Sequence, residues 1–244
     1  MRIPRIYTDQ PLSKGAELQL DDSASRHLCQ VLRLNRGDVL VLFNGDGCSY
    51  PARISHADKK KAQVTVEDCD QRALESPFPI HLGIALSKGD RFDWVLQKAT
   101  ELGVTAITPL QTQRVDVKLN RERAEKKQRH WQQVIISACE QCGRNRLPQL
   151  AEPQTLQDWL GEVEADQKWV LSPAHEGGLR PSQSASSAAL LVGPEGGLED
   201  DEVKLALNAG FEALQLGPRI LRTETAPLAA ISILQFCWGD FDQG

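Results

Sequence analysis

Residues 216–226, LGPRILRTETA, hold two arginines, two threonines, a glutamate, a glycine and a proline. They join two apolar segments, 211–216 and 227–238, whose packing needs none of these polar groups. Arginines bind anions or carbonyl oxygens, and a carboxylate takes a proton, so the stretch reads as a ligand loop. A plainer reading stands beside it: Thr223 or Thr225 could N-cap the last helix, with Glu224 and Pro227 in its first turn. A second loop, GPEGG at residues 193–197, precedes Glu199, Asp200, Asp201 and Glu202. Those acids suit the positive end of a helix and repel a phosphate there. The glycines let backbone approach a flat ligand closely. A phosphate-free cationic ligand, such as S-adenosylmethionine, therefore fits better than a nucleotide di- or triphosphate.

Other chemistries lack their residues. There is no GxxxxGK[ST], no GxGxxG after a strand, no GxSxG and no HExxH. Cys139 and Cys142 form a lone CxxC with no second pair to complete a tetrahedral site. They read as two small side chains late in a helix, and no metal is expected.

The elements that must position these loops follow from patterning. From residue 80 strands and helices alternate. Strands are predicted at IHLGIAL, VTAITPL, KWVLSP, SSAALLVGPEGG (which ends in a glycine-rich loop) and EALQLG. Helices are predicted at 91–102, 120–142, 155–163, about 200–209 and 227–238, the first burying Phe92, Val95, Leu96, Ala99 and Leu102. This order predicts an α/β fold, a mostly parallel sheet with helices on both faces. Ligands bind beyond the carboxyl ends of such strands, and loops 171–173, 193–197 and 217–219 lie at three such ends. The first 70 residues are β-rich, with a helical run at 24–34 that places Leu28, Val31 and Leu32 on one face. The proline-bearing segment 71–79 marks a boundary between a domain at 1–72 and one at 73–244.

Of 244 residues, 41% are hydrophobic and 25% charged, ordinary for a globular protein. No apolar run approaches a membrane span, no signal peptide is apparent at the start, and six cysteines suit a reduced, cytoplasmic setting. Net charge is +1 over 1–72, +4 over 73–150 and −10 over 151–244, so a polyanion could face the first 150 residues only.

Together, LLVGPEGGLEDDE and LGPRILRTETA resemble the ribosomal RNA small subunit methyltransferase E family, of the knotted SPOUT class. RIPRIY, HLCQVLRLNRGD, KGDRFDWVLQKATELGVTAITPL and ACEQCGRNRLPQL extend the resemblance, in order, over nearly the whole chain. It implies a PUA-like β-barrel domain for RNA, followed by an α/β methyltransferase domain with a trefoil knot. It implies a homodimer with the active site at the subunit interface. It also implies S-adenosylmethionine-dependent methylation of N3 of one uridine in 16S rRNA. By the family's motifs, the cofactor falls on Leu171, on Gly193, Pro194, Glu195, Gly196 and Gly197, and on Leu216, Gly217, Ile220, Leu221, Arg222, Thr223 and Ala226. Glu199 departs from the small hydroxyl residue common there, so Glu199 or Asp200 must cap the next helix. VDVKL after Arg114 replaces a serine often seen in the family.

Methylating N3 requires loss of its proton, hence a base or a cation that stabilises the uracil oxygen. Arg222 is the expected cation, Glu195 the expected base, with Glu224 behind it. RNA is expected along Arg2, Arg5, Arg26, Arg33 and Arg36 in the first domain, and Lys88, Arg91, Arg114, Arg144 and Arg146 near the crevice. The rivals are a related SPOUT methyltransferase acting on another RNA and a non-catalytic RNA-binding ribosome-assembly factor.

Overall fold

The computed structural model describes residues 3–72, 74–87, 89–115, 121–172, 178 and 184–242. Arg2 and Lys88, two expected RNA contacts, lie outside the described residues. The chain divides into two compact units, 1–75 with 139–147, and 76–138 with 148–244.

In the first unit β1 (Arg5–Tyr7), β2 (Glu17–Gln19), β3 (Val39–Phe43), β4 (Tyr50–His56) and β5 (Gln63–Val66) form one sheet, in the order β1-β3-β4-β5-β2. β1 runs parallel to β3, and the other pairs are antiparallel. Alternation buries Tyr50, Ala52 and Ile54 on β4 and Val64 and Val66 on β5, against Leu40, Leu42 and Leu28. The charged turn between β4 and β5 is held by Asp58, whose carboxylate accepts the N–H groups of Lys60 and Lys61 at 2.8 Å each.

Helix α1 (Asp22–Arg26) starts where the Asp21 carboxylate accepts the Ala24 N–H at 2.8 Å. It then widens into a π turn, His27–Val31, closed by Leu32 N–H to the His27 carbonyl at 2.9 Å. The wider turn corrects the expected apolar face. Leu28 is fully buried, but Val31 is 68% and Leu32 39% exposed, because the extra residue per turn rotates them off the core side.

The segment 139–147, expected in the second domain, clusters with the first unit. Glu75 explains this: its carboxylate accepts from Arg144 Nε at 2.8 Å and from the N–H groups of Asn145 at 3.2 Å and Arg146 at 3.0 Å. Arg5 adds Nη2 bonds to Asn145 Oδ1 at 2.6 Å and to the Arg144 carbonyl at 3.1 Å, with its guanidinium over the Phe43 ring. Arg144 is buried, and Arg5 is tied to these internal partners. Both therefore leave the set of cations presented to RNA.

The second unit is α/β. Its elements are β6 (Ile80–Ala85), α2 (Arg91–Glu101), β7 (Ala106–Gln111), α3 (Arg121–Cys142), β8 (Gln149–Leu150), β9 (Gln154–Thr155), α4 (Leu156–Glu162), β10 (Gln167–Leu171), β11 (Ala188–Val192), α5 (Asp200–Asn208), β12 (Glu212–Leu214) and α6 (Thr225–Trp238). The sheet order is β12-β10-β11-β6-β7-β8, with β9 also against β7, and every pair is parallel. The core strands are apolar because both faces are covered; all five residues of β11 are buried. Trp159 of α4 lies so close to β6 that a Cβ on Gly83 would meet its ring at 2.5 Å. The carboxyl ends of β6, β7, β10, β11 and β12 thus share one edge, where the sheet delivers its loops. Among the described residues no helix is long and apolar enough to cross a membrane.

Candidate active site

Two cavities open in the second unit. The smaller is about 390 Å³ and is walled by the loops after β10, β11 and β12. Leu171, Gly193, Pro194, Glu195, Gly196 and Gly197 line it on one side, and Leu216, Gly217, Ile220, Leu221, Thr223 and Ala226 on the other. All of these were expected at the cofactor. Arg222 was expected too, but it is exposed and lines neither cavity. Its carbonyl accepts the N–H groups of Thr225 and Ala226, both at 2.9 Å, in the tight turn that starts α6. That turn also corrects the capping expectation: the N-cap of α6 is Glu224, and neither threonine fills that position.

The wall at 193–198 is tight. A Cβ on Gly193 would come 2.9 Å from the Leu198 backbone nitrogen, so the chain there admits no side chain. Glu199 N-caps α5, and its N–H donates to Glu202 Oε2 at 2.9 Å. Glu202 is buried, and its Oε1 accepts the Gln113 N–H at 2.8 Å. One carboxylate thus ties the loop after β7 to the start of α5. It carries Arg114 into place, with Nη1 2.6 Å from the Gly196 carbonyl and Nε and Nη2 2.7 and 2.9 Å from the Glu199 carboxylate.

The larger cavity is an open groove of about 1070 Å³. Arg91 and Trp94 of α2, with Arg114, Glu195, Glu224 and Thr225, form most of its wall. Arg114, Glu195 and Gly196 border both cavities. Arg91 Nη1 donates to Glu195 Oε1 at 2.9 Å. The two expected carboxylates and two of the expected cations therefore meet at one groove, beside the cofactor-sized cavity. Sequence reasoning missed Trp94 and Asp200 as lining residues and Glu202 as the brace, while Ser172 and Arg219 fall in loops it placed at the strand ends. Trp94 carried a signal: it interrupts the polar side of a helix whose apolar side is Phe92, Val95, Leu96 and Ala99.

S-adenosylmethionine fits the smaller cavity on its chemistry. Apolar walls such as Val192, Leu214 and Leu221 suit an adenine and a ribose edge, and a volume of about 390 Å³ is in the range of small-molecule sites. Asp200 and Glu195 lie where a sulfonium is favoured and a phosphate is not. In the CxxC, burial pushes the Cys139 thiol up to about 12. Among the described residues no group of His, Cys, Asp or Glu is arranged to hold a metal ion.

Known proteins resemble this chain along nearly its whole length. The RNA methyltransferase domain family matches residues 74–235, and the RNA methyltransferase PUA domain family matches residues 20–67. The ribosomal RNA small subunit methyltransferase E of Buchnera aphidicola subsp. Schizaphis graminum is 35% identical over 241 residues, 98% of each chain. The chain belongs to the ribosomal RNA small subunit methyltransferase E family. The methyltransferase E of Bacillus subtilis is 31% identical over 94% of this chain and 93% of that one. The methyltransferase E of Neisseria gonorrhoeae, solved bound to S-adenosyl methionine, superposes with a TM-score of 0.90 at 39% identity, covering 98% of this chain and all of that one. A Legionella pneumophila protein solved with the bound cofactor SAM gives 0.94 at 42% identity, over 99% and 100% of the chains. In methyltransferase E terms, the first unit carries the PUA-like domain, and both cavities fall within the methyltransferase domain.

Proposed function

We propose that this chain is an S-adenosylmethionine-dependent methyltransferase that modifies N3 of a uridine in 16S rRNA of the small ribosomal subunit. The observation that carries the reading is the position of Glu195. Its carboxylate borders both the cofactor-sized cavity and the open groove, and Arg91 holds it there at 2.9 Å. The family name and the two SAM-bound relatives support RNA and cofactor respectively.

The bound cofactor supplies an electrophilic methyl group. The residues of the chain do the rest. Loops 193–197 and 216–223 hold the adenosyl part in the smaller cavity. Glu195 takes the N3 proton, and Glu224, on the same groove, keeps the region acidic behind it. Arg91 and Arg114 orient the acids through their pairs with Glu195 and Glu199, and the negative charge on a uracil oxygen calls for a further cation. Arg222 lies outside both cavities in a single chain, so its part as that cation belongs to the homodimer. The dimer is supported by α6, where Phe236 is 63% and Ile233 38% exposed. The trefoil knot belongs to the same reading and rests on the family likeness. Phosphates would be met by Arg26, Arg33, Arg36 and Arg146, all exposed on the first unit, with the enzyme acting in the cytoplasm.

The test is a calorimetric titration with S-adenosylmethionine, followed by methylation of small subunits and mapping of the product nucleoside. Micromolar binding and 3-methyluridine are expected. Binding with a methyl on another atom or another RNA would point to a related SPOUT enzyme. No cofactor binding by the folded protein would point to an assembly factor. Arg222→Ala should lower turnover strongly while leaving cofactor binding measurable.

A further inference from the structure

We propose that Trp94 is the platform on which the target base stacks when it enters the groove, an inference that rests on the methyltransferase reading above. Four of the five tryptophans are explained by packing or partial cover. Trp131, Trp159 and Trp169 are 1–3% exposed, and Trp238 stacks on Trp169 with ring centroids 5.8 Å apart. Trp94 is 50% exposed and lines the open groove. It stands one turn after Arg91 on α2, and side chains three apart on a helix are neighbours. Arg91 is bonded to Glu195, so the indole is placed beside the carboxylate that borders the cofactor cavity.

The indole is also held in place. Lys98 Nζ lies 5.2 Å from its ring centroid, and Lys98 is itself fixed by Glu101 at 2.8 Å. A ring pre-set in this way loses little freedom when a second flat group packs on it.

The charge of the groove selects a base over a phosphate. Its wall carries two arginines, Arg91 and Arg114, against three acids, Asp90, Glu195 and Glu224. Both arginines are already paired, with Glu195 and Glu199. A phosphate would find its cations taken and carboxylates nearby. An uncharged pyrimidine loses nothing by entering, and gains an aromatic face. Arg91 and Arg114 therefore serve the acids of the groove, while phosphates fall to arginines elsewhere.

The experiment compares wild type, Trp94→Ala and Trp94→Phe. Each is assayed for kcat and KM with unmodified small subunits, for S-adenosylmethionine affinity, and for oligomeric state by sedimentation. Expected is a loss of kcat/KM on the order of ten- to a hundredfold in Trp94→Ala, the scale of one base–aromatic stack, recovered largely by Trp94→Phe. Cofactor affinity and oligomeric state are expected to stay unchanged in both. A Trp94→Ala enzyme as active as wild type overturns this inference and leaves the methyltransferase reading standing. So does a variant that becomes monomeric, since the indole then serves contact between copies. So does a variant whose whole loss appears as weaker cofactor binding. A wild-type protein that neither binds cofactor nor methylates RNA removes both readings together. Acrylamide quenching gives a second readout: substrate RNA should shield the exposed tryptophan fluorescence of wild type, and the shielding should vanish in Trp94→Phe.

Discussion

Arg91 and Glu195, 104 positions apart in the chain, meet with guanidinium Nη1 2.9 Å from carboxylate Oε1. One comes from the first turn of α2 and lines the larger cavity, and the other comes from the loop after β11 and borders both cavities. It is half-exposed, so its worth is in placing the carboxylate rather than in stabilising the fold. Glu195→Gln keeps the shape and removes the base. Turnover at saturating cofactor should fall by about 10²- to 10⁴-fold, as expected for loss of a general base, beyond any drop in affinity from removing one of the two acids beside the sulfonium. Arg91→Ala should lower turnover less and loosen Glu195. Single-turnover kinetics beside calorimetry separate the two, and full turnover in Glu195→Gln would remove it as the base.

Gly193→Ala probes the cofactor wall. The added Cβ would meet the Leu198 backbone nitrogen at 2.9 Å, and a backbone atom cannot swing aside as a side chain can. Overpacking of this kind costs about 1–3 kcal/mol, so cofactor affinity should drop on the order of ten- to a hundredfold. Calorimetric affinity equal to wild type would show that the loop moves freely.

Arg33 sits at φ 57°, the one described non-glycine residue with positive φ. It follows the π turn, and its neighbours Val31 and Leu32 are exposed. Arg33→Gly should stabilise the protein by about 0.5–1 kcal/mol, seen as a higher urea midpoint, because glycine adopts this conformation without strain. If Arg33 meets a phosphate, the same variant should weaken RNA binding and flatten its salt dependence by about one unit of slope. Stability and RNA affinity then move in opposite directions, which a merely structural arginine would not produce.

His81 gives the fold a pH dependence. Burial holds its pKa below the usual histidine value, and its Nε2 accepts from Trp159 Nε1 at 3.3 Å and lies 2.8 Å from Thr108 Oγ1. A folded pKa below the unfolded value of about 6.5 means the native state binds fewer protons. The stabilisation is complete above that value and is lost as pH falls through the lower, folded pKa. Urea midpoints should therefore drop on going from neutral to mildly acidic pH. His81→Gln should be less stable at neutral pH and show a smaller drop.

Local pattern decided much of this protein. Apolar runs bounded by glycine and proline mark β6, β7, β10 and β11 within a residue or two, because parallel strands buried on both faces must be apolar. The glycine-rich stretch after β11 and the arginine-threonine loop before α6 stand out for the same reason, since polar residues between buried elements need another cause. Tertiary structure decided the remainder. Arg5 and Arg144 look like surface cations until Asn145 and Glu75 are placed beside them, and 139–147 belongs with the first unit only through those bonds. Val31 points outward because a π turn adds a residue that 3.6-residue periodicity does not count. Trp94 becomes a candidate platform only when Glu195, a hundred residues on, shares its groove. Periodicity along a chain reports which side of an element is buried. Which side chains face one another across a sheet edge depends on strand order and long-range pairing, and no local spacing encodes those.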